Sequence, residues 1–268
     1  MTAILNQHEN YLQADQAYGF PLLIKNLLSR AKVVSGNKKI HYADKTSYTY
    51  HEFFKRVNRL ANVLKGLNLQ KGDVIAVMDW DTHRYLECYF AIPMCGYILQ
   101  TVNVRLSEDK VLYTINHAKP KALLLNSEFS PMIKSHTQDA PSAEHVIWLD
   151  DNNTPMPPYA QGEYEAMLAQ ASDEYEFEDF DENTIATTFY TSGTTGNPKG
   201  VFFSHRQIVL HTLVVAIGCA LNVEGQGVRY SDVYMPMTPM FHVHAWGFPF
   251  VATMLGLEQI YPGRYVPS

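Results

Sequence analysis

The stretch GDVIAVMDWDTHRYLECYFAIPMCGYILQTV, residues 72–102, shows the fold in miniature. Gly72 punctuates the chain, and Val74 to Met78 is an unbroken apolar run of buried-strand length. Tyr85, Leu86, Tyr89 and Phe90 then recur at helical spacing, and Ile98 to Val102 is strand-like again. The same rhythm extends outward in both directions. Upstream, Lys39 to Tyr42 is a short strand candidate. Thr49 to Leu67 reads as a helix, with Thr49 and Glu52 in a capping-box pattern and Phe53, Val57, Leu60, Ala61 and Leu64 on one face. Downstream, Ser107 suits an N-cap, Glu108 and Asp109 suit a first turn, and Val111, Leu112 and Ile115 face inward until Pro120 stops the helix. Ala122 to Leu125 and His145 to Leu149 are further strands. Helices alternating with apolar strands predict an α/β fold of mostly parallel sheets flanked by helices.

Asp150 to Gly162, rich in Asn, Pro and Gly, reads as a linker. Beyond it the pattern predicts a strand at Ile185 to Tyr190, a Gly/Thr loop to Gly200, a strand at Val201 to Phe203 and a helix from Ser204. Val233 to Met237 is strand-like and Trp246 to Leu255 helix-like.

Composition narrows the function classes. With 46% hydrophobic residues in 268, the chain can fill a sizeable core, which excludes wholesale disorder. Cys88, Cys95 and Cys219 are odd in number and not arranged as metal pairs, which argues against a disulfide framework and for a reducing, cytoplasmic setting. Met1 to Asn10 shows no secretory pattern. The most apolar run, Leu213 to Leu221, is far short of the ~20 residues a membrane span needs. The net charge of −6 is uneven: Ser135 to Pro198 holds 13 acids and no Lys or Arg. Seven of those acids fall in Asp173 to Glu182, read as a solvated surface crossing. No dense basic stripe appears, so nucleic acid is not the expected partner.

The chemistry concentrates in YTSGTTGNPKG, residues 190–200. Glycines permit tight, positive-φ turns that bring backbone N–H groups close to a ligand. Thr191, Ser192, Thr194 and Thr195 add hydroxyls, and Lys199 adds one cation. Donors and an ammonium without a carboxylate describe a polyphosphate cradle. It is not a Walker A loop, because Gly200 follows Lys199 where Ser or Thr is required. The competing structural reading is a plain hairpin turn.

This segment, continued by Val201 and by Ser204-His205-Arg206, resembles the AMP-binding signature of the adenylate-forming acyl-CoA synthetases. Three other stretches agree, in family order. They are Val57 to Asn62 followed by Lys71-Gly72-Asp73, then Gly96 to Leu106 with its Asn103-Val104-Arg105-Leu106, and PMFHVHAWG at residues 239–247. The last is similar to the substrate-side motif of the fatty-acyl-CoA branch. The resemblance implies two half-reactions. ATP and a fatty acid give acyl-AMP and pyrophosphate, and the thiol of CoA then displaces AMP. It implies that Thr191, Ser192, Gly193, Thr194, Thr195, Gly196 and Lys199 bind the nucleotide phosphates, with Thr191 near Mg²⁺. Lys199 would stabilise leaving-group charge as a catalytic residue. His242 would lie beside the reacting acyl and phosphate groups as a catalytic and substrate-binding residue, and Trp246 would gate the acyl tunnel. Their structural alternatives are a satisfied core histidine and an ordinary core aromatic.

Family members run well past this length. The resemblance therefore implies an N-terminal portion, inactive alone: a first α/β subdomain over residues 1–180 and the start of a second over 181–268. The adenine-contacting motif, a Mg²⁺-holding glutamate and a C-terminal domain would lie beyond Ser268. Peripheral membrane contact and a homodimer stay open. Val233 to Leu257 contains no carboxylate to receive a substrate ammonium and is rich in Met and aromatics, which favours a medium or long fatty acid. Two rival classes are weighed. His242-Val243-His244 is an H-x-H pair, but a metal hydrolase needs a third ligand. A non-catalytic phosphate- or nucleotide-binding fragment would keep the fold without turnover. A serine hydrolase using Ser192 fails, because Gly-x-Ser-x-Gly is absent.

Overall fold

The computed structural model describes residue 17 and residues 19–191, 196–221 and 227–264. After a 3-10 turn at Ile24–Leu28, the chain forms α1 (Ser29–Val34), β1 (Lys39–Tyr42), β2 (Thr46–Thr49), α2 (Tyr50–Gly66), β3 (Val74–Met78), α3 (His83–Met94), β4 (Ile98–Thr101), α4 (Glu108–Ala118) and β5 (Ala122–Asn126). It continues through α5 (His136–Asp139), β6 (His145–Leu149), β7 (Gly162–Glu163), α6 (Tyr164–Gln170), β8 (Ile185–Thr191), β9 (Lys199–Ser204), α7 (His205–Ala220), β10 (Val233–Tyr234), α8 (Phe248–Leu255) and β11 (Glu258–Tyr261).

Seven strands make one sheet in the order β7-β6-β5-β3-β4-β8-β9, parallel throughout except for the β8–β9 hairpin. A second sheet, β10-β11-β1-β2, joins the start of the described chain to its end. Both sheets draw strands from either side of residue 180. A parallel sheet is covered on both faces, so its strands bury every residue instead of alternating. All five residues of β5 are buried, and four of five in β3. The sequence-based expectation of mostly parallel sheets flanked by helices is what the chain forms.

Local chemistry explains the element ends. Thr49 caps α2 by accepting the Glu52 N–H at 3.4 Å, while the Glu52 carboxylate turns outward to Arg59 at 2.6 Å, so only half of the expected box forms. Ser204 and Gln207 make a complete box at α7. Ser107 stands at the N-cap of α4 without a side-chain cap bond, and Lys119 leaves that helix in the left-handed conformation just before Pro120.

α3 departs from the one-faced helix expected. All 12 of its residues are buried. Its Glu87 is possible there because Arg56 reaches it at 2.7 Å and the Tyr48 and Tyr164 hydroxyls each donate to it at 2.6 Å. The expected linker is also anchored. Asp151 accepts from Arg84 at 2.9 Å and from the Tyr42 hydroxyl at 2.6 Å, and β7 pairs back onto β6. The acidic stretch 173–182 is an irregular surface crossing, as expected. Asp179 pairs with Lys25 at 2.8 Å, and Asp173 with Lys55 at 3.3 Å. No helix among the described residues is long and apolar enough to cross a membrane.

Candidate functional site

Three polar groups gather at the carboxyl ends of adjacent parallel strands: Asp81 past β3, Thr101 ending β4 and Thr191 ending β8. In open α/β sheets that edge is where ligands bind. At Thr191 the chain turns back, and Thr191 lies opposite Lys199 in the antiparallel ladder. The Thr191 hydroxyl donates to the Lys199 carbonyl at 3.4 Å. Ser192, Gly193, Thr194 and Thr195 lie outside the described residues. Gly196 has φ +96°, a conformation that favours glycine. The Lys199 side chain is exposed, with no ion-pair partner among the described residues. The base of the hairpin is braced by a pair not foreseen from sequence. Buried Tyr190 packs under Gly200, and its hydroxyl lies in hydrogen-bond contact with His117 Nδ1 at 2.8 Å, tying β8 to α4. Burial pushes that hydroxyl up to about 12.

The second half of the site is the 239–247 segment. Its entry is pinned through the backbone. The Met240 N–H donates to Asp81 Oδ1 at 2.6 Å, the Met240 carbonyl accepts from the Tyr89 hydroxyl, and the Phe241 carbonyl accepts from Thr101 Oγ1 at 3.4 Å. His242 follows, exposed. Val243, His244, Ala245 and Trp246 then take φ of 48°, 52°, 47° and 57°, and Gly247 takes 75°. This is a left-handed turn made of four residues with side chains, a conformation costing roughly 1–2 kcal/mol each. His211 of α7 braces it, with Nε2 3.0 Å from the Trp246 carbonyl. The helix expected from Trp246 therefore starts at Phe248.

The turn separates the two histidines. His242 is exposed, whereas His244 is 2% exposed. The His244 ring is caged by Phe189, Tyr89 and Phe203 at centroid distances of 5.1, 5.8 and 6.4 Å. The core-histidine reading raised for His242 thus belongs to His244. Burial pushes His244 down to about 3, so it is neutral. One imidazole in solvent and one in the core cannot share a metal ion. Among the described residues no group of three or more His, Cys, Asp or Glu could hold one. Phe189 lies on β8 and Phe203 on β9, so the His244 cage docks the turn directly onto the hairpin.

Trp246 is 59% exposed, not core, and stands between two cavities. One, of about 230 Å³, is walled by Phe203, Gln207, Ile208, His211, Val243 and His244. The other, of about 270 Å³, is walled by Tyr234, Met235, Pro236, Met237, Ala245 and Phe248. The arrangement brings Thr191 and Lys199 together across one ladder, and places His242 and Trp246 on a turn docked against the same hairpin. Asp81, Tyr89 and His211 were not singled out from sequence. Only Asp81 had a usable signal, an acid just past the carboxyl end of a buried parallel strand.

Comparison with known proteins accords with this geometry. The family model for AMP-binding enzymes matches residues 29–267. A medium-chain-fatty-acid–CoA ligase of Ectopseudomonas oleovorans is 34% identical over 248 residues, covering 90% of this chain and 44% of that protein. A long-chain-fatty-acid–CoA ligase of Thermus thermophilus is 34% identical over 242 residues, 89% of this chain and 42% of that protein. Among solved structures, the anthranilate CoA ligase AuaEII in complex with anthranoyl-AMP superposes with a TM-score of 0.78 at 22% identity, over 93% of this chain and 46% of that one. A fatty acyl CoA synthetase of Mycobacterium tuberculosis does so at 0.73 and 22%, over 91% and 45%. The chain spans less than half the length of these proteins. With the family model matched over most of its length, the chain belongs to the AMP-binding enzyme family.

Proposed function

We propose that this chain supplies the phosphate-side and acyl-side walls of an ATP-dependent acid–thiol ligase acting on medium- or long-chain fatty acids. In the first half-reaction a carboxylate oxygen attacks the α-phosphorus of ATP, giving acyl-AMP and pyrophosphate. In the second, the thiol of CoA attacks the acyl carbon and AMP leaves. The observation that carries this reading is Trp246, exposed between two cavities on a turn docked onto the hairpin that bears Lys199.

Lys199 offers an exposed cation to the pyrophosphate, and a fixed charge there lowers the barrier as negative charge develops. Thr191 offers a hydroxyl oxygen at the same hairpin end. One hydroxyl fits Mg²⁺ in the way nucleotide enzymes use it, with phosphate oxygens and waters supplying most of the shell. His242, exposed at the start of the turn, is assigned here to substrate binding. The named relatives, which act on medium- and long-chain fatty acids, support the substrate class.

The test is acid-dependent ATP–pyrophosphate exchange by the ligase containing this chain, from acetate to palmitate. Each buried CH₂ contributes about 0.8 kcal/mol, so kcat/KM should climb with chain length until the tunnel is full. No exchange with any acid, or a maximum at acetate or propionate, overturns the proposal. The same assay on the 268-residue chain alone separates a working enzyme from a phosphate-binding portion.

A further inference from the structure

Between β10, which ends at Tyr234, and α8, which begins at Phe248, the backbone belongs to no sheet and no right-handed helix. Met240 is completely buried within that stretch. A buried N–H without a ladder partner must find another acceptor or cost about 1–3 kcal/mol. Here the acceptor is Asp81, 159 residues earlier in the chain, at 2.6 Å. The same residue's carbonyl takes the Gly263 N–H at 2.8 Å, so Asp81 ties two distant segments to the edge of β3. His242 lies two residues beyond the tie, and Trp246 six.

We propose that Asp81 is a positioning residue: by accepting the Met240 N–H it sets where His242 and the left-handed turn carrying Trp246 stand relative to the hairpin. This rests on the ligase reading above for its catalytic consequence, but not for the tie itself. Three features favour Asp81 over its neighbours. It is 6% exposed, so water competes little for the N–H. Its carboxyl oxygen accepts the N–H at 2.6 Å and can do so whether or not the group is ionised. It also receives a backbone N–H of the entry, whereas Tyr89 and Thr101 donate to the carbonyls of Met240 and Phe241. Burial pushes Asp81 up to about 7; the Met240 N–H and Arg105 oppose that rise and Asp79 adds to it, and Tyr85, Tyr89 and Tyr234 lie within its electrostatic reach.

The experiment compares Asp81→Ala with Asp81→Asn, because an amide oxygen still accepts the Met240 N–H whereas a methyl group does not. The first readout is amide hydrogen exchange of the 268-residue chain without substrate. For Asp81→Ala, exchange across residues 240–246 should quicken about tenfold with the strand at residues 74–78 unchanged, and Asp81→Asn should stay near wild type. The second readout is steady-state kinetics of the ligase containing this chain. Asp81→Ala should lower kcat/KM for the fatty acid about tenfold while the KM for ATP stays within about twofold, and Asp81→Asn should restore it. Unchanged exchange in Asp81→Ala, an equal rise over the whole chain, or an Asn variant as impaired as the Ala variant would each overturn the proposal. If wild type activates no acid, the ligase reading fails, and the exchange arm still decides the tie.

Discussion

The two halves of the site are held by opposite means. The hairpin of β8 and β9 is built from a regular antiparallel ladder, with Thr191 opposite Lys199 and Tyr190 opposite Gly200. Neighbours in sequence hold each other there. The 239–247 segment has no ladder. Its backbone is held by Asp81, Tyr89, Thr101 and His211, which come from the loop after β3, from α3, from β4 and from α7. The phosphate cradle we propose needs donors at fixed spacing, which a local turn supplies. The acyl wall we propose needs a side chain held out between cavities, and the left-handed turn that presents Trp246 is held by distant contacts.

The largest expected effect falls on the hairpin. Lys199→Ala should slow adenylation on the order of tenfold to a thousandfold, the range for losing one charge-stabilising group. Because Lys199 is exposed, the thermal midpoint of the 268-residue chain should not move. Wild-type pyrophosphate exchange in the variant would remove Lys199 from its role.

Two glycines sharpen the comparison next. Gly247 and Gly196 both have positive φ, at 75° and 96°. A Cβ on Gly247 would lie 2.8 Å from the His211 ring, whereas among the described residues nothing lies within 4 Å at Gly196. Gly247→Ala should therefore cost about 2–3 kcal/mol of stability, adding displacement of His211 to the backbone penalty, against about 1 kcal/mol for Gly196→Ala. Equal losses in urea unfolding would show that the turn relaxes freely.

Acid should weaken the turn's anchorage. Burial pushes His244 down to about 3 and His205 down to about 4. An unfolded histidine titrates near 6.5, so below that pH the unfolded chain binds protons that the folded chain refuses. Stability is thus full above about pH 6.5 and falls as pH drops, by about 1–2 kcal/mol per histidine between pH 6.5 and 5. His244→Phe should flatten this dependence, and an unchanged slope across that range would contradict the assignment. The smallest effect concerns Trp246→Ala, which should alter acyl-chain preference by about 0.8 kcal/mol per methylene while leaving the affinity for ATP unchanged. A variant that loses ATP affinity and keeps wild-type chain preference would place Trp246 on the wrong half of the site.

Where sequence reading succeeded, the deciding interactions were local. The apolar runs of β3, β5 and β6 and the face of α2 report burial through period and length. Where it failed, a distant partner decided. Val233 to Met237 reads as a strand, but β10 pairs only at Val233 and Tyr234, and Pro236 carries no N–H to extend the ladder. Trp246 to Leu255 reads as one helix because its apolar spacing ignores the sign of φ, and five residues of positive φ, Val243 to Gly247, precede the true start. Asp150 to Gly162 has a linker's composition, yet Arg84 and Tyr42 hold Asp151 against the sheet. The two histidines of PMFHVHAWG are chemically alike in sequence, and only the turn separates them, one to solvent and one into an aromatic cage.

The sequence by itself determined the α/β class and the main strands and helices between Thr49 and Leu149, because periodicity and capping residues act within a few positions. Tertiary structure decided which strands pair across the chain, that α3 is buried on every side, and how the acyl-side segment is aimed. Those outcomes rest on hydrogen bonds such as that from Met240 to Asp81, whose partners lie 159 residues apart and which no local pattern encodes.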